Sequence, residues 1–291
     1  KLYYAFVAAG GFSFESKITN ESLLAHFTRA FNRFCSFHCD ISHQHVQGPP
    51  SKNKDSSLSA RLKIAVFSTS DAGGSGLAAL RAVQGLRARG HCAHLFCLFK
   101  RSDFQYVSVL PLSDEYSHLE HLDESLIREA WRDVAVAHQK NTRGFSNREI
   151  FSLTGSIVDW KLMGSVSDCF DVIHFHWSVG ILPYHSYPLT LLGKPHCFTL
   201  HDMNYLTGGC HYSEGCSQFE AGCCADCPLS TAEQKQFVEQ QFYMRRHLFA
   251  KLSNYSLVSP SEWMNQYCVS SFPNAINRSF FIQNIYPADG L

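Results

Sequence analysis

The chain has 291 residues, 45% hydrophobic and 17% charged, a balance that fills a core and excludes a disordered chain. Lys plus Arg equals Asp plus Glu at 25 each, so no net charge draws it to nucleic acid, and nucleic acid is not expected as a partner. It begins at Lys1 and stops at Leu291, directly after a Pro-Ala-Asp-Gly turn, and is read as a fragment open at both ends.

Residues 1–60 form an unassigned segment and linker. The opening YYAFVAAGGF is about half the length of a membrane span and has no clear cleavage site. AHFTRAFNRF, from Ala25, has helical spacing, and Cys35-x3-Cys39 with His38, His43 and His45 suggests a metal, though the spacing fits no standard zinc module well. QGPPSKNKDSSLSA (47–60) is a Pro- and Ser-rich linker.

From Arg61 the pattern sharpens. LKIAVFST (62–69) reads as a strand buried on both faces. A Gly-rich turn, DAGGSG, follows it. LAALRAVQGLRAR (77–89) is a helix stopped by Gly90, and HCAHLFCLF (91–99) a second strand. DESLIREAWRDVAVA (123–137) is an amphipathic helix, and SNREIFSLTGSIVDWKLM opens on a capping box from Ser146 to Glu149. DVIHFHW (171–177) and KPHCFTLHD (194–202) read as strands with polar ends. Ser230 and Glu233 cap a helix running to about Leu252. YSLVSP, SEWMNQYC and SFFIQNIYP (279–287) read as strand, helix and strand. Strands alternating with helices predict an α/β fold: a Rossmann-like, doubly wound parallel sheet.

Ligands of such sheets bind at the carboxyl ends of the strands, so residues just past each apolar run carry the chemistry. Gly73 and Gly74 open a helix, where bare backbone N–H groups and the helix dipole suit a phosphate. Gly74-x-Gly76-x-x-Ala79 formally matches a dinucleotide fingerprint, but strand two ends in Phe99-Lys100-Arg101 and lacks the acid that holds a ribose. His174 and His176, two apart on a strand, point to one face; they read as polar residues lining a cleft, or as a metal pair with no nearby third ligand in sequence. His201 at a strand end can exchange a proton with a hydroxyl near neutral pH. Asp202 either orients it, binds hydroxyls, or caps the next turn.

Five of the twelve cysteines lie between Cys210 and Cys227. Cys210, Cys216, Cys223 or Cys224, and Cys227 fit a tetrahedral structural zinc; disulfides and unlinked thiols are the other readings. The remaining cysteines sit mostly in apolar runs, as reduced buried thiols do, which points to the cytoplasm.

The run HFHW…GKPHCFTLHDMNYLTGGCHYSEGCSQF…CADCP resembles bacterial family 4 glycosyltransferases (glycosyl transferase group 1) over about residues 61–287. The resemblance implies a GT-B fold of two Rossmann-like domains, with residues 61–287 as the N-terminal, acceptor-side one. Residues 288–291 would start the interdomain hinge, and the donor domain would be absent, so this piece alone would be inactive or nearly so. It further implies retaining transfer, without a catalytic metal or cofactor, from a nucleoside diphosphate sugar to a glycan or lipid-linked acceptor in surface polysaccharide synthesis. A lipid-linked acceptor would bring peripheral contact with the inner face of the membrane. By motif position His201 would lie beside the transferred sugar, with Asp202 next to it, and Gly73 and Gly74 beside the diphosphate. Two other functions fit fewer of the motifs: a non-catalytic, zinc-stabilised binding module, and an NADP-binding reductase using Gly74 to Ala79 and Arg101.

Overall fold

A computed structural model of the chain describes residues 61–119, 152, 155–165, 167–213, 215–223, 235–272 and 278–284. The 1–60 segment, the 123–137 helix, both predicted capping boxes, Cys224, Cys227 and the hinge at 288–291 lie outside them.

Seven strands form one sheet: β1 (Lys63–Ser70), β2 (Cys92–Phe99), β3 (Val107–Val109), β4 (Val172–Phe175), β5 (His196–Thr199), β6 (Tyr255–Ser259) and β7 (Ser279–Phe281). Their order is β3-β2-β1-β4-β5-β6-β7, and every pair is parallel. This is the predicted Rossmann-like sheet, with its strand order reversing between β1 and β4.

The helices are α1 (Gly73–Ala88), α2 (Trp160–Ser165), α3 (Leu189–Leu192), α4 (Lys235–Lys251) and α5 (Glu262–Ser271). Under α1, Ala79, Leu80 and Val83 bury Ile64, Val66 and Leu95. The opposite face carries the larger core, joined by residues of α2, α4 and α5. A row of phenylalanines crosses it in register: Phe96 pairs with Phe67, Phe67 with Phe175, and Phe175 with Phe198. Their ring centroids lie 5.5, 5.1 and 5.4 Å apart, and Phe249 of α4 closes on Phe198 at 4.8 Å.

Three expectations need correction. The helix written over 77–89 begins four residues earlier: Gly73 and Gly74 open it as expected, and Gly73, at φ +73°, bends the chain directly into α1. Residues 155–159 are not helical. Ser156 and Val158 make β-bridges to Gly180 and Leu112, a conformation suited to the β-branched Ile157 and Val158. The helix starts only at Trp160, where the Asp159 carboxylate accepts the Lys161 and Leu162 N–H groups. Finally, the last strand ends at Phe281, with Ile282 to Asn284 continuing exposed.

Candidate functional site

At the carboxyl edge the ends of β1 and β4 are tied together. The Thr69 N–H donates to Trp177 O at 2.7 Å, its hydroxyl donates to Val179 O at 2.7 Å, and the His176 N–H donates to Phe67 O at 2.9 Å. Because these strands are parallel neighbours, Gly73 and Gly74, His176, and His201 all lie past strand carboxyl ends on one rim, beside the point where strand order reverses.

Gly73 and Gly74 are exposed, and a Cβ built on either would meet no atom within 4 Å. Helix α1 has no side-chain N-cap and no acid in its first turn, so its N–H groups and dipole face open space. Gly76 differs: a Cβ there would lie 2.5 Å from Ser70 O. With Ala79 fully buried, the second and third positions of the dinucleotide-like pattern serve helix–strand packing. Asp71, just before this turn, accepts the Arg101 N–H at 2.7 Å and the Ser102 N–H and hydroxyl at 2.9 and 2.6 Å. Burial alone would raise its pKa, but these donors hold it below the usual value.

The three histidines form a column. His174 and His176 share a face as expected, with ring centroids 4.5 Å apart, and His176 lies 5.2 Å from His201. The His174 Nε2 bonds the Thr199 hydroxyl at 2.8 Å, and His176 Nδ1 bonds His201 Nε2 at 3.0 Å. His176 is only 3% exposed, so it lies behind His201 and does not line a cleft. Burial lowers the pKa of His201 to about 4 and of His174 to about 4, and holds His176 well below the ordinary value. All three are neutral imidazoles at pH 7.

Asp202 does not touch His201. Its Oδ1 accepts the Asn204 N–H at 2.8 Å, and Oδ2 lies 3.5 Å from His211 Nδ1. It caps the following turn, one of the readings the sequence left open. Burial pushes its pKa up to about 6 and that of His211 down to about 4, so their contact is not an ion pair of fixed charges. The Nε2 of His211 meets the Ser152 hydroxyl at 2.7 Å.

Arg245 of α4, 1% exposed, is the buried cation beneath this loop. It donates to Gln241 O at 3.1 Å, Ser152 O at 3.0 Å and Asn204 Oδ1 at 3.3 Å. Burial lowers its pKa, while Tyr184, Cys210 and Cys223 nearby oppose that. A small cleft opens beside it, lined by Trp177, Tyr184, Asn204 and Tyr205 among others, without Gly73, Gly74 or His201. Arg245, Asn204, Tyr205 and Trp177 do not stand out in the sequence as site residues. The one legible signal is Arg245 occupying a position in the apolar stripe Val238, Phe242, Leu248, Phe249.

In the cysteine loop, Cys210 and Cys223 are buried and Cys216 is half-buried. The Gly208 N–H donates to Cys223 Sγ at 3.3 Å. Among the described residues no three His, Cys, Asp or Glu side chains gather into a metal-holding group; Cys224 and Cys227 are not among those residues. No helix of the described residues is long and apolar enough to cross a membrane. Comparison with protein-family models and with curated proteins finds no match.

Proposed function

We propose that this chain is the acceptor-side Rossmann-like half of a GT-B glycosyltransferase. It would move a sugar from a nucleoside diphosphate sugar to a glycan or lipid-linked acceptor, in the synthesis of surface polysaccharide at the inner face of the membrane. The observation that carries the reading is the shared rim. The bare start of α1 and the His201 ring stand on β1 and β5, on either side of β4, where parallel sheets take their ligands. In transfer, the bond from the sugar's anomeric carbon to the diphosphate breaks, a bond to the acceptor oxygen forms, and the hydroxyl proton leaves with the departing diphosphate. The N–H groups at Gly73 and Gly74 would stabilise the charge left on the diphosphate, and His201, neutral at pH 7, would hydrogen-bond the sugar. A second α/β domain would hold most of the nucleotide.

A structural zinc held by Cys210, Cys216, Cys223 or Cys224, and Cys227 belongs to the same proposal. Its support is two buried thiols in one loop, one of them already accepting a backbone N–H as metal-bound sulfurs do. The experiment is release of a nucleoside diphosphate from sugar nucleotides by a protein that includes the donor domain. Most turnover should vanish in a folded His201→Ala variant; an unchanged rate removes His201 from the mechanism.

A further inference from the structure

His176 and His201 share one proton-bearing contact, His176 Nδ1 to His201 Nε2 at 3.0 Å. Both rings are neutral, so only one of the two nitrogens carries the proton. If His201 donated, His176 would hold its own proton on Nε2. That atom is buried and has no hydrogen-bond partner among the described residues, and an orphaned buried N–H is among the rarest features of folded proteins. If His176 donates instead, its proton sits on Nδ1 and the isolated Nε2 is a bare lone pair. His201 Nε2 then accepts, and the remaining proton of His201 must lie on Nδ1.

The donor ring is also held in place. The His176 N–H is fixed to Phe67 O and its carbonyl accepts the Tyr205 hydroxyl, while His174 lies against its other side with its Nε2 engaged by Thr199. No hydrogen bond from His201 Nδ1 to another described residue is present. That nitrogen is the end of the pair left for a ligand.

We propose that His176 is a positioning residue that locks His201 as an Nδ1–H donor, so that His201 offers a hydrogen bond to an oxygen acceptor of a bound ligand and does not act as a base. The ligand's identity as a sugar or its phosphate rests on the function proposed above; the locked tautomer does not.

The test is a long-range proton–nitrogen correlation spectrum of the histidine rings in ¹⁵N-labelled protein at pH 7, without sugar nucleotide. His201 should show a protonated Nδ1 and a bare Nε2. His176→Asn, whose side-chain amide stands near the lost Nδ1–H, should keep that pattern. His176→Phe, which has no donor, should release His201 to the Nε2–H form favoured by free imidazole. A protonated Nε2 on wild-type His201, or an Nδ1–H form that survives His176→Phe, overturns the proposal. Should the Phe variant not fold, the wild-type spectrum alone decides. Failure of the glycosyltransferase reading would look different: no nucleoside diphosphate released by the wild type, with the ring spectrum as expected.

Discussion

Gly76 passes under the end of β1 so closely that a Cβ on it would lie 2.5 Å from Ser70 O, whereas two residues earlier a Cβ on Gly74 would meet nothing within 4 Å. Two glycines of one motif thus serve different ends. Gly76→Ala should destabilise the fold by about 1–3 kcal/mol or more, because backbone must move. Gly74→Ala should leave stability unchanged or raise it by up to ~1 kcal/mol through helix propensity, yet weaken nucleotide-dependent turnover. Denaturant melts of both variants, beside a turnover assay of the second, check the contrast.

Four buried and two half-buried imidazoles set the response to acid. Burial lowers His94 to about 3 and His174, His196, His201 and His211 to about 4, and places His176 well below its ordinary value. A depressed histidine contributes stability in full above its unfolded pKa near 6.5, and loses it as pH falls through the folded value. Lowering one pKa by a single pH unit is worth about 1.4 kcal/mol, so protonating several of these rings removes a large part of a stability of roughly 5–15 kcal/mol. The melting midpoint should fall steeply between pH 6.5 and 4; a flat profile there would show the rings are not buried.

Asp202 runs the other way. Its folded pKa of about 6 lies above the ordinary 3.8, so the stability linked to it is present below pH 3.8 and lost as pH rises through 6. Asp202→Asn keeps an oxygen for the Asn204 N–H and removes the buried charge. It should gain on the order of 1–3 kcal/mol at pH 8 and little at pH 4, read from denaturation at the two values.

Arg245 reaches three carbonyl oxygens with a planar fork that a lysine ammonium cannot reproduce. Arg245→Lys should cost about 1.5–3 kcal/mol, the worth of one hydrogen bond to a charged group, measured by equilibrium unfolding.

Zinc is checked by metal analysis of the purified protein. One equivalent, lost when Cys210 and Cys227 are both replaced by Ser, is expected; metal-free protein would dismiss the staple.

Much of this is legible because the apolar runs at 62–69 and 91–99 can only be strands buried on both faces, and the helix between them has a stripe at 3.6-residue spacing. β3 escapes because three residues, one of them Ser108, make no run. The 155–159 segment misleads because the capping pattern at Ser146 is local, while the bridges to Leu112 and Gly180 are not. At the site, His201 stands out as a polar residue at a strand end. Its partner does not: Asp202 is next in sequence, yet His176, 25 residues earlier, is the side chain it meets. Pairing across neighbouring strands depends on register, and no local spacing encodes it.

The row Phe96, Phe67, Phe175, Phe198 acts as a ruler laid across four strands. Each edge group stands a fixed number of residues past its own ring: His176 one beyond Phe175, His201 three beyond Phe198, Gly73 six beyond Phe67. Inserting a single residue between a ring and its edge group would shift that group out of register with the others on the rim. The rim can accept new side chains, then, but not new spacings.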